Sequence, residues 1–193
     1  MTRRLLTLCL VFLAGHSAMA IEEPEFEVLS ETTDYEIRQY APYLVAEVDV
    51  AAESAESQGF RTLAGYIFGD NQASEKMQMT APVESRDSES QDKKTYAFVM
   101  ESKYTRETIP EPNNENIRLR ERPARIVAVR KFSGRWSDTN VAAQEQQLLE
   151  ALANDGVKTT GVVELARYNS PFTLWFLRRN EVMVPVEWPA AND

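Results

Sequence analysis

Pro42-Tyr43-Leu44-Val45-Ala46-Glu47-Val48 and Pro123-Ala124-Arg125-Ile126-Val127-Ala128-Val129 lie 81 residues apart and share a pattern, a proline followed by an apolar extended run. Proline lacks a backbone donor and fits the start of a strand. Period-two alternation then puts Leu44, Ala46, Val48 and Val50 on one face. Met79-Thr80-Ala81-Pro82 and Asn169-Ser170-Pro171 share a proline at an offset of 89. A helical pattern sits between these markers in both halves. In the first, Phe60, Leu63, Ala64 and Ile67 recur at i, i+3, i+4 and i+7 within about Glu53 to Phe68, and Gly69-Asp70-Asn71 ends the run. In the second, about Asp138 to Asn154, Val141, Glu145, Leu148, Leu149 and Leu152 mark the inward face. Ser137 or Asp138 can cap its start, and Gly156 supplies a left-handed stop.

Working outward, strands are expected at Phe26 to Ser30, Tyr35 to Tyr40, Tyr43 to Val50, Met79 to Glu84 and Thr95 to Glu101, with an exposed charged hairpin loop from Ser85 to Lys94. Pro110 and Pro112 punctuate the crossing to the second half. There the strands fall near Ile117 to Glu121, Arg125 to Phe132, Val162 to Tyr168 and Glu181 to Glu187. The simplest account is α+β: a strand-helix-strand unit repeated at about 26–101 and 115–187, closing one antiparallel sheet into a distorted β-barrel with two flanking helices. Chance similarity between short β segments is the competing account.

The chain has 193 residues, 43% hydrophobic and 26% charged, a composition that fits a globular protein of one or two domains. Its 21 basic and 30 acidic residues give a net charge of −9, which disfavours nucleic acid and anionic membrane surfaces as partners. Arg3 and Arg4, a short apolar run to Ala14 and Ala18-Met19-Ala20 form the pattern of a secretory signal peptide over residues 1–20. The run is too short to span a bilayer, and nothing later is long and apolar enough. A single domain over 21–193, periplasmic or secreted and monomeric, is expected. Cleavage before Ile21 would remove two arginines, leaving 19 basic and 30 acidic residues, a net charge of −11. It would also remove Cys9 and His16, the chain's one Cys and one His. Disulfides, thiol nucleophiles, Ser-His-Asp triads and His-ligated metals are then excluded, and no metal site is expected.

Two stretches stand out as candidate sites. Lys76-Met77-Gln78-Met79-Thr80-Ala81-Pro82 puts two flexible thioethers on one side of an extended segment, suited either to an adaptable apolar ligand surface or to filling the core. Tyr168 to Glu181 is aromatic-rich, with Phe172, Trp175 and Phe176 followed by Arg178 and Arg179. It reads as an apolar cleft with cations at its mouth, or as core aromatics beside a solvated arginine pair. Glu101, Tyr104 and Glu121 are acid/base candidates that no spacing singles out, and no enzymatic activity is expected.

At these residues the sequence resembles the SOUL haem-binding protein family, in the manner of an exported bacterial member. The resemblance runs from about Phe26 to Glu187. It rests on Tyr35-Glu36-Ile37-Arg38-Gln39-Tyr40, Lys76 to Val83, Phe132-Ser133-Gly134, and Tyr168-Asn169-Ser170-Pro171-Phe172 with Arg178-Arg179-Asn180-Glu181-Val182. It implies a duplicated, distorted antiparallel barrel with two helices that binds haem or related tetrapyrroles. The ligand is associated with the first helix and the loop before the last strand, through apolar contacts with basic groups near the propionates. Carried onto this chain, the helix supplies Phe60, Arg61, Leu63, Ala64 and Ile67, and the loop supplies Phe172, Trp175, Arg178 and Arg179. Met77 and Met79 are nearby candidates.

Without a histidine, iron ligation would fall to Met77, Met79, Tyr66, Tyr168 or Lys76, or to none of them. Unligated iron with apolar capture is the expectation, and it implies little discrimination between haem and metal-free porphyrin. Two other readings stay open: a binding module for another amphipathic or cationic small ligand, and a hydrolase using a glutamate and an ordered water.

Overall fold

The computed structural model describes residues 21–52, 55–88 and 92–189. The expected signal peptide, at 1–20, lies outside the described residues. The chain runs β1 (Phe26–Glu31), β2 (Glu36–Tyr40), β3 (Tyr43–Ala51), α1 (Ala55–Ile67), β4 (Val83–Asp87), β5 (Lys93–Val99), β6 (Arg118–Arg122), β7 (Arg125–Phe132), α2 (Asp138–Asn154), β8 (Glu164–Arg167), a 3-10 turn (Trp175–Leu177) and β9 (Asn180–Pro185). All nine strands join one antiparallel sheet in the order β1-β2-β7-β9-β8-β4-β5-β3-β6. Among the described residues β1 and β6 do not pair with each other, so the sheet is a curled half-barrel rather than a closed ring.

The strand order carries the repeat. From β2 to β6 it reads the same from both ends once β2 is matched with β6, β7 with β3, β9 with β5 and β8 with β4. The halves meet at β4 and β8, where Val83 faces Arg167 and Arg86 faces Glu164. Each half also gives one strand to the other: β2 pairs with β7, and β6 with β3.

Alternation sorts the side chains onto two faces. On one face α1 covers β3 and β5, burying Leu63, Tyr66 and Ile67 among Leu44, Ala46, Val48, Tyr96 and Phe98. On the same face α2 covers β7 and β9, with Leu148 and Leu152 against Ile37, Ala128, Val182 and Val184. Each such leucine contributes about 2 kcal/mol of transfer free energy. Ser137 caps α2, its side chain accepting from the Asn140 amide at 3.4 Å, and Gly156 sits at φ +71 just past the end. Leu149, expected inward, is exposed.

The opposite face is enclosed by the curl and sets buried charges among small apolar clusters, Tyr40, Val127, Val129, Ala166 and Met183 in one and Val45, Ala97 and Val99 in another. Arg38, Glu47, Glu84, Glu164 and Glu181 are all buried there. Arg38 donates to Glu181 at 2.9 and 3.2 Å. Arg125 grips Glu164 at 3.0 and 2.9 Å, and Arg86, Arg118 and Arg120 surround Glu47 at 2.8 to 3.4 Å.

The strand expected at Met79 to Glu84 begins only at Val83. Its upstream backbone is extended but spends its donors elsewhere: Met77 N on Ile67 O, Gln78 N on the Glu101 carboxylate and Ala81 N on Glu22 O. Residues 22–25 thus form a strap that also reaches the turn between β2 and β3, where Ala41 N donates to Glu25 O.

Candidate functional site

Helix α1 and the loop before β9 lie at the two ends of one stack on the helix-covered face. Gly59 presses against the Tyr96 ring so closely that a Cβ there would stand 2.7 Å from Tyr96 Cγ. The Arg167 guanidinium lies 5.2 Å from the Tyr96 ring centre and 5.3 Å from that of Trp136. Arg178 covers Trp136 at 4.2 Å. Such cation–π contacts contribute about 0.5–2 kcal/mol each, more as water is excluded.

The loop is held by its own polar atoms. Asn169 Oδ1 accepts from the Arg179 amide at 2.6 Å, and Arg178 donates to Thr173 O at 2.8 Å and Pro171 O at 2.6 Å. Gly134 N donates to Trp175 O at 3.0 Å, tying the loop to the segment after β7. So anchored, the loop presents Phe172, Leu174, Trp175, Phe176 and Leu177 to solvent, Phe172 at 94% exposure. Trp175 and Phe176 pack edge to face with centroids 5.5 Å apart. An anchored loop that exposes five apolar residues in six has the character of a candidate interaction surface.

The helix residues separate into two groups. Leu63 and Ile67 are in the core, and Met77 is only 4% exposed beneath them. Phe60 is 41% exposed, in edge contact with Phe98 at 5.3 Å, while Ala64 and Met79 are partly buried against the same core. Phe60, Ala64 and Phe68 follow one another at intervals of four and form an accessible apolar flank of α1.

The two loop arginines part company. Arg178 stays on the helix-covered face with Trp136, whose Nε1 donates to Asn180 at 2.6 Å. Arg179 lies over Tyr168 at 3.6 Å and pairs with Glu181 and Glu23 at 3.0 Å, toward the charged face. By contrast, the side chains of Arg61, Lys76 and Arg135 are exposed and make no ion pair or hydrogen bond among the described residues. Sequence reasoning missed Arg135, Trp136 and Arg167. A Gly-Arg-Trp triplet outside any strand or helix period was the available signal for the first two.

Of the groups considered for iron, Tyr66 is fully buried and donates to Pro110 O at 2.7 Å. Tyr168 donates to Glu181 at 2.8 Å, and burial with that carboxylate pushes its hydroxyl well above the usual range. Burial likewise raises Tyr66. Neither phenol is poised to ionise and bind a metal, which leaves only Met79 and Lys76 accessible. Among the described residues there is no cluster of three His, Cys, Asp or Glu able to hold a metal ion, and no helix long and apolar enough to cross a membrane.

Comparison with known proteins adds an independent line. The profile described as SOUL heme-binding protein matches residues 21–185. A mouse protein named heme-binding protein 2 is 29% identical over 199 residues, covering 88% of this chain and 92% of its own. The human protein of that name is 30% identical over 185 residues, covering 86% and 90%. Among solved structures, the EcmrR C-terminal domain superimposes with a TM-score of 0.59 at 12% identity, over 79% of this chain and 98% of that one. A Listeria innocua protein described as a hydrolase gives 0.58 at 11% identity, over 82% and 94%. At such identities the last two likenesses concern the fold alone.

Proposed function

The chain belongs to the SOUL heme-binding protein family, and from that premise we propose that it is an exported, non-enzymatic binding protein for haem or a related tetrapyrrole, a carrier or buffer. The ligand lies between the accessible flank of α1 and the loop before β9. Phe60, Ala64 and Met79 contact one side of the macrocycle, and Phe172 and Trp175 the other. Leu63, Ile67 and Met77 act from beneath by fixing the helix and its underlying segment.

The observation that carries this reading is the anchored loop of exposed aromatics. Its side chains gain about 25 cal/mol for each Å² of apolar surface they bury against a planar ligand. Arg61 and Arg135, which like Lys76 make no ion pair among the described residues, meet the propionates by charge-assisted hydrogen bonds. Arg178 and Arg179 serve the site indirectly, by holding the loop in shape. Residues 1–20 carry the export reading, on their basic, apolar and Ala-x-Ala pattern.

The test is a titration with haemin and with metal-free protoporphyrin, followed by absorbance and tryptophan fluorescence. Saturable one-to-one binding of both at similar affinity is expected, with weaker binding in Phe172→Ala/Trp175→Ala. Binding of haemin alone would replace apolar capture by ligation through Met79 or Lys76. Binding of neither would overturn the reading.

A further inference from the structure

A concave site, sharing no lining residue with the α1–loop surface, opens at the end of the sheet where β3 begins and β5 and β6 finish. It is a cleft of about 590 Å³ between the 22–25 strap, the turn before β3 and the segment 99–107, within the size range of small-molecule pockets. Leu44, Val99 and Met100 give it an apolar floor. Carboxylates come from three separate stretches of chain: Glu22, Glu23 and Glu25, then Glu101 and Glu107, then Glu121. The one basic residue in its lining, Arg106, is paired with Glu111.

The carboxylates do not cancel within the cleft. Glu25 and Glu121 make no side-chain hydrogen bond or ion pair among the described residues, and Glu107 accepts from the Thr105 hydroxyl, at 2.7 Å, and from its own backbone amide, with no ion pair among the described residues. The wall already displays the chemistry it recognises. The Lys103 ammonium lies 2.8 Å from the Glu101 carboxylate and 4.7 Å from the centre of the Tyr104 ring, and both residues line the cleft. Carboxylate plus aromatic face is how proteins bind alkylammonium groups, and here the chain's own lysine uses that pair.

We propose that this cleft is a binding site for an amphipathic organic cation, its apolar body on Leu44, Val99 and Met100 and its positive charge among Glu25, Glu107 and Glu121. The inference goes beyond tetrapyrrole binding, since a dianionic porphyrin would be repelled here. The apolar floor distinguishes such a ligand from a simple polyamine. The 22–25 strap supplies one wall, so the site depends on its backbone bonds to Ala41 and Ala81.

Berberine, a planar quaternary cation whose fluorescence rises on leaving water, is a suitable probe. Saturable one-to-one binding is expected, with affinity lowered about tenfold in Glu25→Gln/Glu107→Gln/Glu121→Gln, the summed effect of three solvent-facing charges. Haemin binding should be unchanged in that variant, which also verifies its fold. Equimolar spermidine should fail to displace the probe. Absence of saturable berberine binding, undiminished affinity in the triple variant, or displacement by spermidine would each overturn the assignment.

Discussion

The two faces of the sheet are built from the same strands and stabilised by different physics. Under α1 and α2 the face is apolar and tolerant, because dispersion and the hydrophobic effect have no direction. On the enclosed face, Arg38 and Glu181 are both fully buried, and their stability depends on each finding the other. Burying two charges costs several kcal/mol per ion, offset only by close geometry and further hydrogen bonds. Glu181 has them, accepting from Arg38, Arg179 and Tyr168. One face of a sheet can thus be specified by volume and the other by pairing.

Breaking a single partner should expose the difference most sharply. Glu181→Ala takes from Arg38 its fully buried partner and leaves it only Glu36, at 2.8 Å, and the Tyr40 hydroxyl, which should cost about 3 kcal/mol in urea unfolding, whereas Arg38→Met/Glu181→Leu should recover much of that loss. A double variant as unstable as the single one would show that the enclosed face needs charge rather than pairing.

Acid tests the same face next. Arg125 and Arg122 lower the Glu164 carboxyl from 4.5 to about 2 against the opposing effect of burial. A carboxyl whose folded pKa is depressed contributes stability above its unfolded pKa and loses it as pH falls toward the folded one. Unfolding free energy should therefore decline from about pH 4.5 to about pH 2, and less steeply in Glu164→Gln.

The smallest effect belongs to the helix-covered face. Burial, then Asp87, raises the Glu145 carboxyl on α2, so its ionised form is mildly unfavourable at neutral pH. Glu145→Gln should stabilise the protein by at most about 0.5 kcal/mol, discounted for its partial exposure to water, as read by Tm at pH 7.

The helix-covered face was legible in the sequence because its period is. The bounds expected for α2, Asp138 to Asn154, are those observed, and the β3 alternation predicts Leu44, Ala46 and Val48 inward. The charged face was not. Glu47 between Ala46 and Val48 reads as an outward polar residue, and only curvature, a property of the whole sheet, encloses it. The Met79 to Glu84 strand was placed early because period-two spacing reveals extension but not which acceptors the backbone meets. At the candidate site, residue types marked Phe60, Phe172 and Trp175. They could not separate Arg178, spent on the Thr173 and Pro171 carbonyls, from Arg61 and Arg135, which have no side-chain partner among the described residues, because that distinction is made by how the loop folds and not by residue type.

The exchange of β2 and β6 between the halves makes the duplication irreversible. Each copy now finishes the other: β2 waits for β7, nearly half the chain downstream, and β3 cannot cover one of its edges until β6 has been synthesised. Pairings of such long sequence separation slow folding, since the chain must close large loops before contacts repay their entropy. A cut between the copies yields two fragments, each lacking a pairing strand held by its partner, that can complete the sheet only by reassociating.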